Sequence, residues 1–331
     1  MEKFNFRTTL KLPKSNNQIT HQSRLMSVGS CFSEHIGGRL SSAKFSVTMN
    51  PHGILFNPIS IADSLTQIID NYHFSESDIF FHNEKWQSFY HHGRFAKANK
   101  NDCLTAINSS IHSAHRTLQS LDFLLVTFGT ANVFEYRKEG RVVANCHKVA
   151  NSEFERKRLQ IHEITTAFEP ILNTLKAINP TLKVILTVSP VRHIRDGLIE
   201  NQRSKSTLLL SVEELVRRFD FVEYFPSYEL LMDDLRDYRF YKADMIHPST
   251  IAVDYVWQHF ADAYFSENTK QLIRAIHKII QAKQHRPFDE TSDSYQQFLE
   301  IQLSKISHLT AAHPFLNFEE DINWFRSKLI R

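Results

Sequence analysis

Apolar positions along this chain fall into two alternating kinds of run. Short runs, RLMSVG (24–29), FSVTM (45–49), DFLLVTFG (122–129), LKVILTVSP (182–190) and FVEYFP (221–226), read as strands. The third and fourth are apolar nearly throughout, the pattern of strands buried on both faces of a parallel sheet. Between them the spacing predicts helices over 32–42, 58–72, 101–120, 153–178 and 203–219. Strands alternating with helices imply right-handed crossovers and an α/β fold. The expected architecture is a doubly wound, flavodoxin-like parallel sheet of order 2-1-3-4-5 in a three-layer α/β/α sandwich.

Two stretches interrupt the alternation. DIFFHNEKWQSFYHHGRF (78–95) reads as a hairpin or long loop rich in aromatics and histidines, and VFEYRKEGRVVANC (133–146) as a hairpin turning at KEG. Both leave the sheet where they can overhang one end of it, so 78–95 is expected to form a wall of any cleft there. Beyond Phe265 the pattern is wholly helical. The organisation predicted is a domain over 1–265 and a helical extension over 266–331 packed on it, away from the cleft.

Composition narrows the function. Thirty-nine basic against 36 acidic residues give a formal charge of +3, too balanced for a nucleic-acid footprint. The first residues lack the apolar core of a secretory signal, and no run reaches the roughly 18 apolar residues of a membrane span. Three scattered cysteines, Cys31, Cys103 and Cys146, argue against a disulfide framework. A cytoplasmic location is the expectation, with no membrane or nucleic-acid partner. The pairs HHG and HSAH lack a Cys or Glu set at zinc-like spacing, so neither a metal nor another cofactor is expected.

Candidate chemistry concentrates where strands end. Ser30 follows the first strand at a predicted helix start, where unpaired N–H groups suit an attacking oxygen and a developing oxyanion. Serine also fills an N-cap well there. Asp244 stands three residues before His247, ahead of a helix opened by Pro248. That spacing lets a carboxylate hold one imidazole nitrogen and leaves the other for a hydroxyl. A D-x-x-H pair alone can equally be a solvated loop. The 2-1-3 strand order would bring Ser30 beside the turn at 128–132, so that Gly129, Asn132, Gly53 and the Ser30 amide could serve as oxyanion donors. Cys31, next to Ser30, could be a thiolate at a helix N-terminus or a small residue facing inward. His92, Arg192, His193 and Asn201 fall on loops that could rim the same edge and bind substrate.

These segments carry a resemblance. GSCF (29–32), NPHGILFNP (50–58), TFGTA (127–131), TVSPVRH (187–193) and DYRFYKADMIHPS (237–249) resemble the GSCFA family of bacterial proteins, which is similar to the SGNH/GDSL hydrolase superfamily. The likeness runs over most of residues 3–265. It implies Ser30 as the block I serine, Gly53 as the block II glycine, and Asp244 with His247 as the block V pair. In block III the asparagine expected two residues after Gly129 is Ala131, with Asn132 one further on. The resemblance also favours Ser30 over Cys31.

The expected function is a serine esterase acting through a Ser30–His247–Asp244 triad and an acyl-enzyme, on a small-molecule or glycan ester such as an O-acylated carbohydrate. An acyltransferase on the same triad, or a non-catalytic binding module, are the alternatives. All the named groups are expected to line one cleft. Neither the acyl group nor the oligomeric state is legible.

Overall fold

The all-apolar run near 125 becomes the middle strand of a parallel sheet in the computed structural model, which describes residues 8–330. In chain order the strands are β1 (Arg24–Gly29), β2 (Ser46–Met49), β3 (Phe80–His82), β4 (Lys85–Gln87), β5 (Phe123–Phe128), β6 (Asn132–Tyr136), β7 (Arg141–Val143), β8 (Phe154–Arg158), β9 (Lys183–Val188) and β10 (Val222–Tyr224). The first five helices are α1 (Cys31–Ser42), α2 (Pro58–Ile69), α3 (Lys100–Leu118), α4 (Ile161–Ile178) and α5 (Leu198–Arg218). After them come the short α6 (Ser227–Glu229), α7 (Thr250–Tyr264), α8 (Glu267–Ala282), α9 (Asp293–Ala312) and α10 (Glu319–Ser327).

The main sheet runs β2-β1-β5-β9-β10, all pairs parallel. Counted along the chain, this is the 2-1-3-4-5 order the sequence predicts. Because side chains alternate along a strand, Met26, Val28, Leu124 and Val126 face α2, α4 and α5, while Leu25, Phe123, Leu125 and Ile185 face α1 and α7. The result is helix, sheet, helix, in three layers. Its switch point lies between β1 and β5, paired in register from Leu25↔Phe123 to Gly29↔Thr127.

One predicted helix is divided. Residues 153–178 were expected as a single helix, but Phe154–Arg158 form β8, antiparallel to β6, and α4 begins only at Ile161. Cross-strand charges hold it there: Lys157 reaches Glu135 at 2.6 Å and Arg137 reaches Glu155 at 3.3 Å. The 133–146 hairpin is thus part of a three-stranded sheet, β7-β6-β8. The 78–95 insertion folds as the β3–β4 hairpin and packs Phe95 and Trp86 on Cys103 and Ile107 of α3.

Helices α8 to α10 enclose their own apolar cluster, including Ile276, Leu299, Ile306 and Phe325. Buried Asp321 ties them to the chain after α1, through Lys44 at 2.5 Å and Lys283 at 2.8 Å. Lys44 follows the C-terminal end of α1, which runs back from the carboxyl edge of the sheet. Among the described residues no helix is long and apolar enough to cross a membrane.

Candidate active site

The site begins with a glycine that no other residue can replace. Gly29 has φ +137°, and a Cβ there would lie 2.2 Å from the Thr127 carbonyl oxygen of β5. This close approach lets the chain turn from β1 directly into α1.

Ser30 is then the N-cap. Its Oγ accepts the Phe32 N–H at 3.3 Å, its own N–H donates to Thr127 O at 3.2 Å, and it is wholly buried. The hydroxyl expected as the nucleophile thus serves the helix start and is buried. Cys31 opens α1 and is half-buried. Its Sγ lies against its own amide and that of Phe32; burial pushes the thiol above its ordinary pKa, with those amides and the nearby Lys205 ammonium opposing.

The oxyanion donors expected from sequence are mostly engaged. Gly53 N–H donates to Asn50 O at 2.7 Å, Gly129 N–H to Phe56 O at 2.8 Å, and Ser30 N–H to Thr127 O at 3.2 Å. Each closes a turn or a strand-end contact. Asn132 Nδ2 donates to Asp196 at 3.4 Å. With the Phe32 N–H given to Ser30 Oγ, the Cys31 amide, at the positive end of α1, is the one that donates to none of these acceptors.

The carboxylate–imidazole pair forms as its spacing predicts. His247 Nδ1 lies 2.7 Å from one Asp244 oxygen, and the other accepts the Ile246 and His247 amides at 2.9 Å each. Those amide and ring contacts, the His247 amide foremost, hold the Asp244 carboxyl well below the usual carboxylate range. Met245 at φ +57° makes the tight turn that folds the pair together. Nδ1–H donating to Asp244 leaves Nε2 as the basic nitrogen. The loop faces the first turns of α1: Glu34 and His35 share a surface hollow with Lys242 and Pro248. Both side chains are about two-fifths exposed, and His247 makes no hydrogen bond to Ser30.

Beside this pair a cleft of about 650 Å³ opens at the carboxyl edge. Of the expected site residues, His92, Asn132, Arg192 and His193 line it, with Thr130 of the 128–132 turn and Ile246, the neighbour of His247. Ser30, Gly53, Gly129, Asn201, Asp244 and His247 are not among its lining residues, so the expectation of a single cleft lined by every group is corrected. Its long wall is the β6–β8 sheet, with Val133, Phe134, Val143 and Arg156. The 78–95 insertion supplies only His92, because its hairpin is drawn onto α3.

Asn201 is an internal support: its Oδ1 accepts the His193 N–H at 2.7 Å. Burial, then Lys205, then His247 push the His193 imidazole down to about 3, and its Nε2 has no partner among the described residues. Arg192 stacks over Tyr238 and Tyr241 at 5.3 and 5.2 Å and donates to Met245 O at 3.1 Å, so it braces the His247 loop.

Sequence reasoning passed over Lys205. Fully buried, it donates to Gly129 O and Ser189 O at 2.6 Å each, clamping the ends of β5 and β9 behind Cys31. Burial lowers its pKa to about 7. The signal was present: Lys205 sits on the stripe of Asn201, Ser204, Leu208, Ser211, Val212 and Leu215 that α5 turns inward.

Comparison with known proteins follows this geometry. Residues 24–260 match the GSCFA family, and residues 276–331 match the GSCFA domain protein, C-terminal domain. No curated protein matches the chain. Among solved structures it is similar to a carbohydrate esterase family 3 protein from Talaromyces cellulolyticus, at 10% identity and TM-score 0.37, covering 78% of this chain and 99% of that one. It is also similar to a Clostridium thermocellum family 3 carbohydrate esterase, at 12% identity and TM-score 0.33, covering 77% of this chain and 98% of that one.

Proposed function

The chain belongs to the GSCFA family, and from that premise and the geometry of the sheet edge we propose an acyl-ester hydrolase whose nucleophile is Cys31 and whose base is His247, oriented by Asp244. The observation that carries the reading is the Asp244–His247 pair, 2.7 Å apart, held on a loop that faces the N-terminal turn of α1. Buried above its ordinary pKa, the Cys31 thiol rests protonated and needs a base to attack.

Sγ adds to the ester carbonyl carbon as its proton passes to His247 Nε2. The negative oxygen that forms is stabilised by the Cys31 amide and the α1 dipole. Collapse breaks the bond to the alcohol oxygen, which takes the proton from His247 and leaves a thioester on Cys31. Water then adds to the thioester with His247 accepting its proton, and the second collapse releases the acid and restores the thiol. Asp244 holds the ring in the tautomer that both halves require.

The test is turnover of a panel of short acyl esters by wild type and three variants. Cys31→Ala and Asp244→Asn should each lose about 10³-fold or more, as members of one catalytic unit do. Ser30→Ala should stay within a few fold. Full activity in Cys31→Ala with loss in Ser30→Ala would return the role to the serine. A binding module without chemistry is the second reading, favoured by the exposure of His247; it would stand if no ester in the panel were turned over.

A further inference from the structure

The cleft is strongly basic. Lys148, Arg156, Arg192 and Arg195 all line it, in a protein whose total charge is only +3. Arg156 pairs with Asp196, but among the described residues Lys148, Arg192 and Arg195 form no ion pair. Two of these guanidiniums share one aromatic ring: Arg156 lies 5.0 Å and Arg195 5.7 Å from the centre of Phe134. The Arg156 guanidinium is pushed below its ordinary pKa by burial and then by Arg195. With Arg156 already paired to Asp196, the Arg195 guanidinium beside it is left, among the described residues, without a carboxylate at an open cleft, where an oxyanion can bridge the two.

The geometry points to an oxyanion-binding subsite at Arg156 and Arg195, which selects esters whose alcohol portion carries an acid group: a carboxylate, sulfate or phosphate. It rests on the hydrolase reading, since it assigns that reaction its substrate class. Ile246 borders the same cleft, and the Arg192 backbone N–H donates to Ile246 O at 3.2 Å, so the His247 loop adjoins the cleft that the guanidinium pair lines. Apolar Val133 and Val143 line it as well, so the cleft fits an amphiphilic ligand with its charge at one end.

Two measurements on the full chain test this. The first compares 4-nitrophenyl acetate with its acid-bearing counterpart, 3-carboxy-4-nitrophenyl acetate, each corrected for its reaction with hydroxide. Wild type should favour the carboxylated ester by about tenfold in kcat/KM, and the preference should shrink at high salt. In Arg195→Gln the ratio should fall toward one, and Arg195→Lys should restore part of it; Arg195 is exposed, so neither change threatens the fold. The second titrates inorganic phosphate by calorimetry, with binding expected in wild type and loss in Arg195→Gln. Equal turnover of both esters with no phosphate binding overturns the subsite and leaves the hydrolase standing. Phosphate binding lost in Arg195→Gln, with neither ester cleaved, supports the subsite and defeats the hydrolase. Neither binding nor turnover overturns both.

Discussion

Residues 29 to 31 divide three tasks among three side chains. Gly29 permits the approach to Thr127, Ser30 caps the helix, and half-buried Cys31 opens it. Gly29→Ala should therefore be severely destabilising, by about 3 kcal/mol or more, since its Cβ would meet backbone and its φ is unsuited to alanine. Denaturant unfolding of the variant checks this. Ser30→Ala should cost about 1 kcal/mol, the usual worth of an N-cap, and little activity. The order of the two side chains was not legible in the sequence, because adjacent serine and cysteine after a strand satisfy cap and core rules equally well. What separates them is the one-residue choice of where the helix begins. Asp244 and His247 were legible, because three residues of spacing closed by a tight turn leave their side chains little alternative but to meet.

At the scale of elements, the parallel α/β sheet followed from apolar runs separated by helical spacing. β8 was missed because FERKR has one apolar residue followed by four charged ones and so shows no period-2 alternation. Its partner strand decides it. The clamp of β5 to β9 by Lys205 was missed for a different reason: a single lysine on an apolar stripe reads as an error of period until its acceptors are known. Lys205→Met keeps the volume but leaves two buried carbonyls without a donor. It should cost roughly 2–4 kcal/mol in denaturant unfolding, and Lys205→Ala more through the cavity it adds.

Beneath the cleft wall, buried His52 stacks on His91 with ring centres 4.5 Å apart. Burial lowers His52 from 6.5 to about 4, and His91 well below its ordinary value. Above pH 6.5 both folded and unfolded chains hold these rings neutral. Below it the unfolded chain takes up protons that the folded chain refuses, so stability falls with pH until about 4, where His52 itself titrates. By about pH 5 each ring should have cost roughly 2 kcal/mol. His52→Gln should flatten part of that acid slope in a series of unfolding midpoints; an unchanged slope would remove His52 as a cause.

For the molecule as a whole, the sheet edge that carries chemistry and the end that carries the C-terminal helices lie apart. Asp321, buried between Lys44 and Lys283, is the joint between them. Asp321→Ala leaves two cations around an emptied site and should lower stability by about 3 kcal/mol, the usual penalty for breaking a buried pair. Turnover per folded molecule should stay unchanged, which parallel unfolding and activity measurements would show.

The central claim is that Cys31 carries the acyl group, and mass spectrometry of the chain quenched in acid during turnover of 4-nitrophenyl acetate tests it most directly. The account predicts a single acetyl on the peptide containing Cys31, labile to hydroxylamine at neutral pH as a thioester is, and missing from Cys31→Ala. An acetyl retained in Cys31→Ala and mapped to Ser30 would contradict it.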